Sequence, residues 1–401
     1  MSWPKVKLSE LISLTGGHAF KSGDFEESGI PLIRIGTANS GVFKTTDFVY
    51  LPNDYETKYS KYLVKPKDLL ITLTGTVGKG DYGNVCEASD TYTAYLLNQR
   101  VARVNITSNN LFKRYLYLYL ATPEVKRSLT SLSRGVRQAN IKNDDILDLE
   151  IPLPPLEEQK RIAAILDKAD SVRRKRQQAI NLADDFLRSV FLDMFGDPVA
   201  NPKGWEVKPM KNLITIQGGY AFKSGDFGKV GIPVVKIGNA NKLGFTTKGV
   251  AFIEPKDPSN LKKYELYAGD LLMSLTGTVG KDDYANVTEV TNEYEIYYLN
   301  QRVAKITVNE SEISKNYLKF FLAEPQIKGE ITKNNRGVRQ ANIGNADIYG
   351  LNVPVPGDRA LIKFDSIVKQ VKKMSIKTAK APEYSESFFN SLSQKAFSGK
   401  L

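Results

Sequence analysis

The sequence predicts an α+β protein built twice over. Two tandem mixed α/β domains are each followed by a long helix, and the two helices are expected to pair with each other along a coiled-coil-like seam. Three observations carry this reading. A set of motifs recurs at a constant offset of 202 residues, as from Gly16 to Gly218. Short β-like runs precede a helical stretch in each repeat. Each repeat then closes on a segment with helical periodicity. The expected boundaries are 1–153 and 198–355 for the two domains, with the helices at 154–197 and 356–401.

The repeat is read directly from its motifs. "GGHAFKSGDF" at Gly16–Phe25 returns as "GGYAFKSGDF" at Gly218–Phe227, "LTGTVGKG" at Leu73 as "LTGTVGKD" at Leu275, "LNQRVA" at Leu97 again at Leu299, and "RGVRQANI" at Arg134 again at Arg336. Trp3 and Trp205 obey the same offset. The offset also tests candidate catalytic residues. The one histidine, His18, faces Tyr220, and the one cysteine, Cys86, faces Thr288. Neither is needed for what both copies do, so each is read as a packing or surface residue.

Along each repeat, "IPLIRIG", "TDFVYL", "DLLITL" and "QRVARVNI" read as strands separated by Gly, Asn and Asp turns. The run "NNLFKRYLYLYLATPEVKRSL" reads as helix, and Pro152, Pro154 and Pro155 mark a boundary. From Leu156 to Phe195 there is neither glycine nor proline. Ile162, Ile165, Ala169, Val172, Ala179, Ala183, Phe186 and Val190 fall in steps of three and four, interrupted by Arg176, as in a heptad seam. A helix of about 40 residues would be roughly 60 Å long. The second copy of the seam is Phe364, Ile367, Val371, Met374, Ala381, Phe388 and Leu392, with Pro382 expected to kink or break it. A helix with one apolar stripe needs a partner. The expected partner of each is the other, against the alternative that each packs on its own globular half.

Composition narrows the function. The chain has 401 residues and a formal net charge of +12, a surplus that favours a polyanionic partner such as nucleic acid or else marks a merely basic protein. No apolar run is long enough to span a bilayer, and "MSWPKVKLSEL" lacks the layout of a signal peptide. A cytoplasmic location is therefore expected. One cysteine excludes an internal disulfide, and one histidine leaves little for a Cys/His zinc site.

"LTGTVGK" invites comparison with a phosphate-binding loop and fails it. That pattern needs Gly, four residues, then Gly-Lys-Ser/Thr. If Gly78 and Lys79 are the Gly-Lys pair, the first glycine falls at Leu73. The residues after Lys79 and Lys281 are Gly80 and Asp282, which supply no hydroxyl for Mg²⁺. Thr74, Thr76 and Lys79, with Thr276, Thr278 and Lys281, have two readings: contacts to DNA phosphates and base edges, or threonines that cap a tight turn. "RGVRQANI" is denser in donors. Arginine reaches guanine bidentately, and glutamine or asparagine reaches adenine. This gives Arg134, Arg137, Gln138 and Asn140, and in the copy Arg336, Arg339, Gln340 and Asn342. "NQR" adds Asn98, Gln99 and Arg100 with Asn300, Gln301 and Arg302; these amides satisfy buried backbone as readily as they touch DNA. "AFKSGDF" adds Lys21 and Ser22 with Lys223 and Ser224, and the end of the "IPLIRIG" run adds Arg34 with Lys236.

At these residues the chain resembles a family. "IPLPPLEEQKRIAAILDKAD", Ile151 to Asp170, looks like the helix signature of type I restriction–modification specificity subunits, and "RGVRQANI" is similar to the segment that closes each of their target-recognition domains. The resemblance covers the whole chain. The second helix departs from the signature, reading "PVPGDRALIKFDSIVKQ" without "LEEQ". The resemblance implies a DNA-binding specificity subunit that is not itself an enzyme and binds no cofactor. Two methyltransferase subunits would dock on it with S-adenosylmethionine, and restriction/translocase subunits would bring ATP and Mg²⁺. Each recognition domain would read one half of a bipartite site in double-stranded DNA, and the two helices, paired antiparallel as a spacer with pseudo-two-fold symmetry, would set the unread spacing. Because the two domains share their polar motifs, the two half-sites are expected to be similar and inverted.

Two other classes compete. A methyltransferase or nuclease that carries its own recognition domains would show "NPPF" or "DPPY" or a glycine-rich cofactor loop after a first strand, and the chain has neither. The DNA-recognition portion of a standalone system acting by itself remains the alternative. A sugar-binding repeat protein is disfavoured by the basic charge and the donor-rich "RGVRQAN".

Overall fold

The computed structural model describes residues 3–132, 137–255, 257–333, 340–378 and 382–401. The chain forms two compact units, Met1–Gln177 with Lys380–Leu401, and Gln178–Ala379.

In the first unit, one four-stranded antiparallel sheet has the order Ile12–Gly16, Val101–Ile106, Leu69–Thr72, Val85–Glu87. A second has the order Tyr50–Leu51, Ile30–Ile33, Tyr95–Leu97, Leu63–Val64, in which only the two central strands run parallel. The run Leu69–Thr72 does not alternate because both of its faces are covered. Leu69 and Ile71 join the core under the helix Lys113–Leu120, while Leu70 joins the core with Ile33, Tyr95 and Leu97. The following helix, Pro123–Ser131, starts with Pro123 in its first turn and the Thr122 side chain accepting from Val125 N.

The second unit repeats these sheets as Ile214–Gly218, Val303–Val308, Leu271–Ser274, Val287–Glu289 and as Ala251–Ile253, Ile232–Val235, Tyr297–Leu299, Glu265–Leu266. It adds a small hairpin, Ala240–Asn241 with Gly244–Phe245. In each unit the entering and leaving strands pair antiparallel: Lys5–Lys7 with Glu150–Pro152, and Glu206–Pro209 with Asn352–Val355.

A single helix runs Leu156–Phe195. In the first unit it buries Ile162, Ala163 and Leu166. Arg114 Nη2 meets Asp167 Oδ1 at 2.6 Å. The fully buried Gln159 of "LEEQ" accepts from Phe112 N and donates to the carbonyls of Asn110 and Pro154, each at 2.8 Å. That glutamine is therefore a clamp between the domain and the helix start. The helix Pro382–Phe397 lies against the same unit, burying Ala396. Its course is antiparallel to the first helix: Arg161 Nη2 donates to Leu401 O at 3.5 Å, and the Arg173 guanidinium lies 5.8 Å from the Phe389 ring.

In the second unit, Leu187, Phe191 and Phe195 pack with Tyr317 and with Leu361, Phe364 and Val368 of the helix Asp358–Thr378. Leu361 stands where Gln159 stands in the first copy. Asp365 supplies the tie instead, accepting from Ser314 Oγ at 3.0 Å and Asn316 Nδ2 at 2.9 Å. Helices run Asp358–Thr378 and Pro382–Phe397; residues 379–381, next to which a break at Pro382 was expected, lie outside the described residues.

The heptad seam needs correction. Ile162 and Phe364 are buried, and Ile165, Ala169, Val190, Ile367, Val371 and Leu392 are half-buried. Val172, Phe186, Met374 and Phe388 are exposed, Phe186 by 53% and Phe388 by 63%. The buried line runs through Leu166, Leu187, Phe191, Phe195 and Val368 instead. These helices dock their ends into globular cores, so a straight 3.6-residue stripe is buried in place of a 3.5-residue seam. Ala381 lies outside the described residues.

Candidate nucleic-acid interface

Two motifs more than sixty residues apart in sequence meet as a β-ribbon. Thr74–Thr76 pairs antiparallel with Gln138–Asn140, placing Thr76 opposite Gln138 and Thr74 opposite Asn140. The second unit repeats it, with Thr278 opposite Gln340 and Thr276 opposite Asn342. Ala139 and Ala341 are fully buried while the flanking amides are exposed, so strand alternation turns Gln138, Asn140, Gln340 and Asn342 outward. Gly75 is required beneath them: a Cβ there would lie 2.3 Å from Asp81 Oδ1 and 2.8 Å from the Tyr82 side chain.

The "TVGKG" turn is closed by a carboxylate. Thr76 N donates to Asp81 Oδ1 at 2.7 Å, and Thr278 N to Asp283 Oδ1 at 2.8 Å. Lys79 N closes the turn on Thr76 O at 3.0 Å, and Gly78 takes φ 80°. The loop is a carboxylate-capped β-turn that leaves Lys79 and Lys281 exposed. Thr76 and Thr278 are also exposed. Thr74 is half-buried and Thr276 buried, their Oγ1 atoms enclosed without a hydrogen-bond partner. This corrects the expectation for those two threonines. They sit where the ribbon leaves the sheet, still covered by it, and support the outward residues.

A second pair of motifs interlocks beside the sheets. His18 N donates to Leu97 O at 2.8 Å and Gln99 N to His18 O at 3.1 Å; Tyr220 N and Gln301 N repeat the clasp. A Cβ on Gly17 would lie 2.2 Å from Asn98 O, and one on Gly219 the same distance from Asn300 O, so both glycines are fixed by close backbone approach. The His18 ring packs on Phe20, Tyr59 and Tyr62, as expected of a packing residue. The clasp leaves Asn98 and Asn300 half-buried and Gln99, Arg100, Gln301 and Arg302 exposed.

In the first unit Asn98, Gln99 and Arg100 line a cleft of about 540 Å³ together with Arg34, Thr37, Lys44 and Asp47. Lys21, Ser22, Lys223 and Ser224 are exposed on short turns outside this clasp. Lys236, the copy of Arg34, holds its ammonium 3.5 Å from the centre of the Phe227 ring.

Charge separates these residues from the framework. Among the described residues, Lys21, Arg34, Lys79, Arg100, Arg137, Lys223, Lys281 and Arg302 form no ion pair. Framework cations do, as in Arg188 with Glu324 at 3.0 Å and Lys305 with Asp270 at 2.7 Å. Unneutralised cations beside outward amides can take phosphates and base edges. Arg137 is exposed at the start of the ribbon; Arg134, Arg336 and Arg339 lie outside the described residues.

Among the described residues no group of His, Cys, Asp and Glu is placed to hold a metal, and no helix is long and apolar enough to cross a membrane. Burial pushes the Cys86 thiol up to about 12, which makes it inert. Sequence reasoning missed Thr37, Lys44 and Asp47. Selection by what both repeats share passes over positions where the repeats differ, and these three face Asn239, Thr246 and Gly249.

Duplicated mixed α/β domains with matching donor-rich ribbons, each followed by a helix, define a tandem-repeat α+β protein. The chain belongs to the type I restriction modification DNA specificity domain family, whose profile matches residues 2–182 and again 202–377. It is 22% identical to the EcoBI specificity subunit of Escherichia coli over all of this chain and 86% of that one. It is 30% identical to the MjaVIII specificity subunit of Methanocaldococcus jannaschii over 47% of this chain and 45% of that one. The fold is similar to the crystal structure of the type I restriction–modification S subunit from M. genitalium, with a TM-score of 0.56 at 14% identity, covering 99% of this chain and 96% of that chain.

Proposed function

We propose that this chain reads a bipartite DNA site, one half with each domain, as the specificity subunit of a type I restriction–modification complex. The observation that carries the reading is the Thr-Gly-Thr/Gln-Ala-Asn ribbon, paired in the same register in both units, with an unpaired lysine beside it in each and Arg137 beside it in the first. Outward amides suit adenine edges, and the cations suit guanine and phosphate. Near-identical ribbons favour two similar half-sites, and the helices are assigned to hold them in inverted orientation at a fixed spacing. The same helices are assigned the docking of two methyltransferase subunits. Those subunits bring S-adenosylmethionine, and the restriction/translocase subunits bring ATP and Mg²⁺; this chain holds none of these and works in the cytoplasm.

The test is co-expression with the cognate methyltransferase subunit, followed by base-resolution mapping of methylated DNA. A bipartite site with two related, inverted halves is expected. Two unrelated halves would remove the similarity assignment, and methylation without sequence preference would remove the specificity role.

A further inference from the structure

The cleft of the first unit contains one residue whose charge is wrong for DNA in general. Arg34, Lys44, Asn98, Gln99 and Arg100 offer donors, whereas Asp47 is an anion among them. A carboxylate facing a polyanion weakens binding to every sequence unless it meets a donor. Asp47 forms no ion pair, and only Thr46 Oγ1 reaches it, at 3.3 Å to Oδ2. The cations around it therefore leave its acceptor capacity free.

Its backbone is a second, independent observation. Asp47 has φ 62°, in the left-handed region that favours glycine. The matching residue of the second unit is a glycine, Gly249, with φ 70°. The same turn is thus built once with glycine and once with aspartate, one of the few other residues that visits this region. A polar residue in a sparsely populated backbone conformation on the wall of a cleft is a candidate for a side-chain role. The rest of the cleft also differs between the repeats, with Lys236, Asn239 and Thr246 for Arg34, Thr37 and Lys44, while Asn-Gln-Arg is the same.

We propose that Asp47 is a specificity-determining residue that reads a cytosine in the half-site of the first domain, and that the half-site of the second domain has no such requirement at the corresponding position. In the major groove the cytosine N4 amino group is a donor, and its guanine partner presents the O6 and N7 acceptors. A carboxylate beside an arginine matches both members of that pair. Adenine sets an N7 acceptor beside its amino group and suits an amide better. The two half-sites are then similar but differ at one position. This rests on the DNA-reading function proposed above.

The test uses the full chain in complex with its methyltransferase subunits, comparing wild type with D47G and G249D by selection from a random DNA pool and by methylated-base mapping. D47G places glycine where the backbone favours it; G249D puts aspartate at φ 70°, close to the φ 62° that Asp47 already adopts, with no atom within 4 Å of the added Cβ. In D47G the preference for cytosine at one position of one half-site is expected to fall about tenfold, with the other half-site and the spacing unchanged. G249D is expected to gain a cytosine preference at the corresponding position of the other half-site. Unchanged half-sites in both variants, beside a wild type that reads a bipartite site, overturn the Asp47 assignment and leave the general function standing. Loss of all recognition in D47G also overturns it, since a discriminating residue is not a general one. A wild-type complex with no sequence preference removes both.

Discussion

The Phe397 ring lies 5.2 Å from the Tyr115 ring, centroid to centroid, so the end of the last helix is seated on a helix of the first domain. Phe195 lies 4.8 Å from Tyr317 in the second unit, and each of these residues is offset from its counterpart by the same 202 positions. The first unit therefore depends on residues from the far end of the chain. Phe397→Ala is expected to cost about 2 kcal/mol, less than a fully buried phenylalanine because Phe397 is only partly covered. The expected drop in melting temperature is roughly 4–8 °C for a unit of this size, read by calorimetry.

Cys86 is the one cysteine and belongs to the first unit's core. Its buried thiol, pushed up to about 12, should not react with a thiol reagent at pH 8 in the native protein. It should react fully in denaturant. Because only opening of the first unit exposes it, Phe397→Ala should speed its labelling, and substitutions in the second unit should not.

In the second unit the carboxylate of Glu289 lies among three lysines. Glu289 lies 2.6 Å from Lys372, 3.7 Å from Lys315 and 3.9 Å from Lys319. Burial opposes its ionisation, but Lys372, Lys319 and Lys315 outweigh burial and hold its carboxyl below the usual range. Lys319 is itself pushed down, by burial and then by Lys372. A carboxyl with a depressed folded value stabilises fully above its unfolded value, about 4.3, and loses that contribution as pH falls through the folded value. Glu289→Gln is expected to lower the stability of this unit by about 1–2 kcal/mol at pH 7 and to make its unfolding less steep below pH 4. Equal melting of variant and wild type at pH 7 would count against the cluster.

On DNA, the ribbon and the turn should separate by salt. Lys79→Ala is expected to weaken binding to all sequences and to reduce the salt slope by about 1. Asn140→Ala should alter base preference at one position and keep the slope. A titration of the assembled complex from low to high salt distinguishes them.

Two helical turns added near Arg176 should lengthen the unread spacer and leave both half-sites unchanged. Methylome mapping of the longer variant checks this, and an unaltered spacer would show that the helices are not the ruler.

Much of the fold was legible because it was duplicated. The strands, the helical stretch and the long helix all follow from local patterns seen twice. The buried face of the long helix was not, since Leu166 and Phe191 are chosen over Ile165 and Val190 by what lies beside them in space. The ribbon was legible only as two separate motifs, because nothing local tells Thr76 that it faces Gln138. The shared donors were found by repetition, and Asp47 was hidden by the same method, being a position where the repeats disagree.

The zipped strands at the foot of each unit, Lys5–Lys7 on Glu150–Pro152 and Glu206–Pro209 on Asn352–Val355, bring each domain's entrance and exit side by side. Such a domain is a cassette. Genetic exchange that replaced everything between the zipped strands would leave the helices in frame and in place, whatever the size of the newcomer. Two genes recombining at these seams could thus trade one domain without rewriting the other.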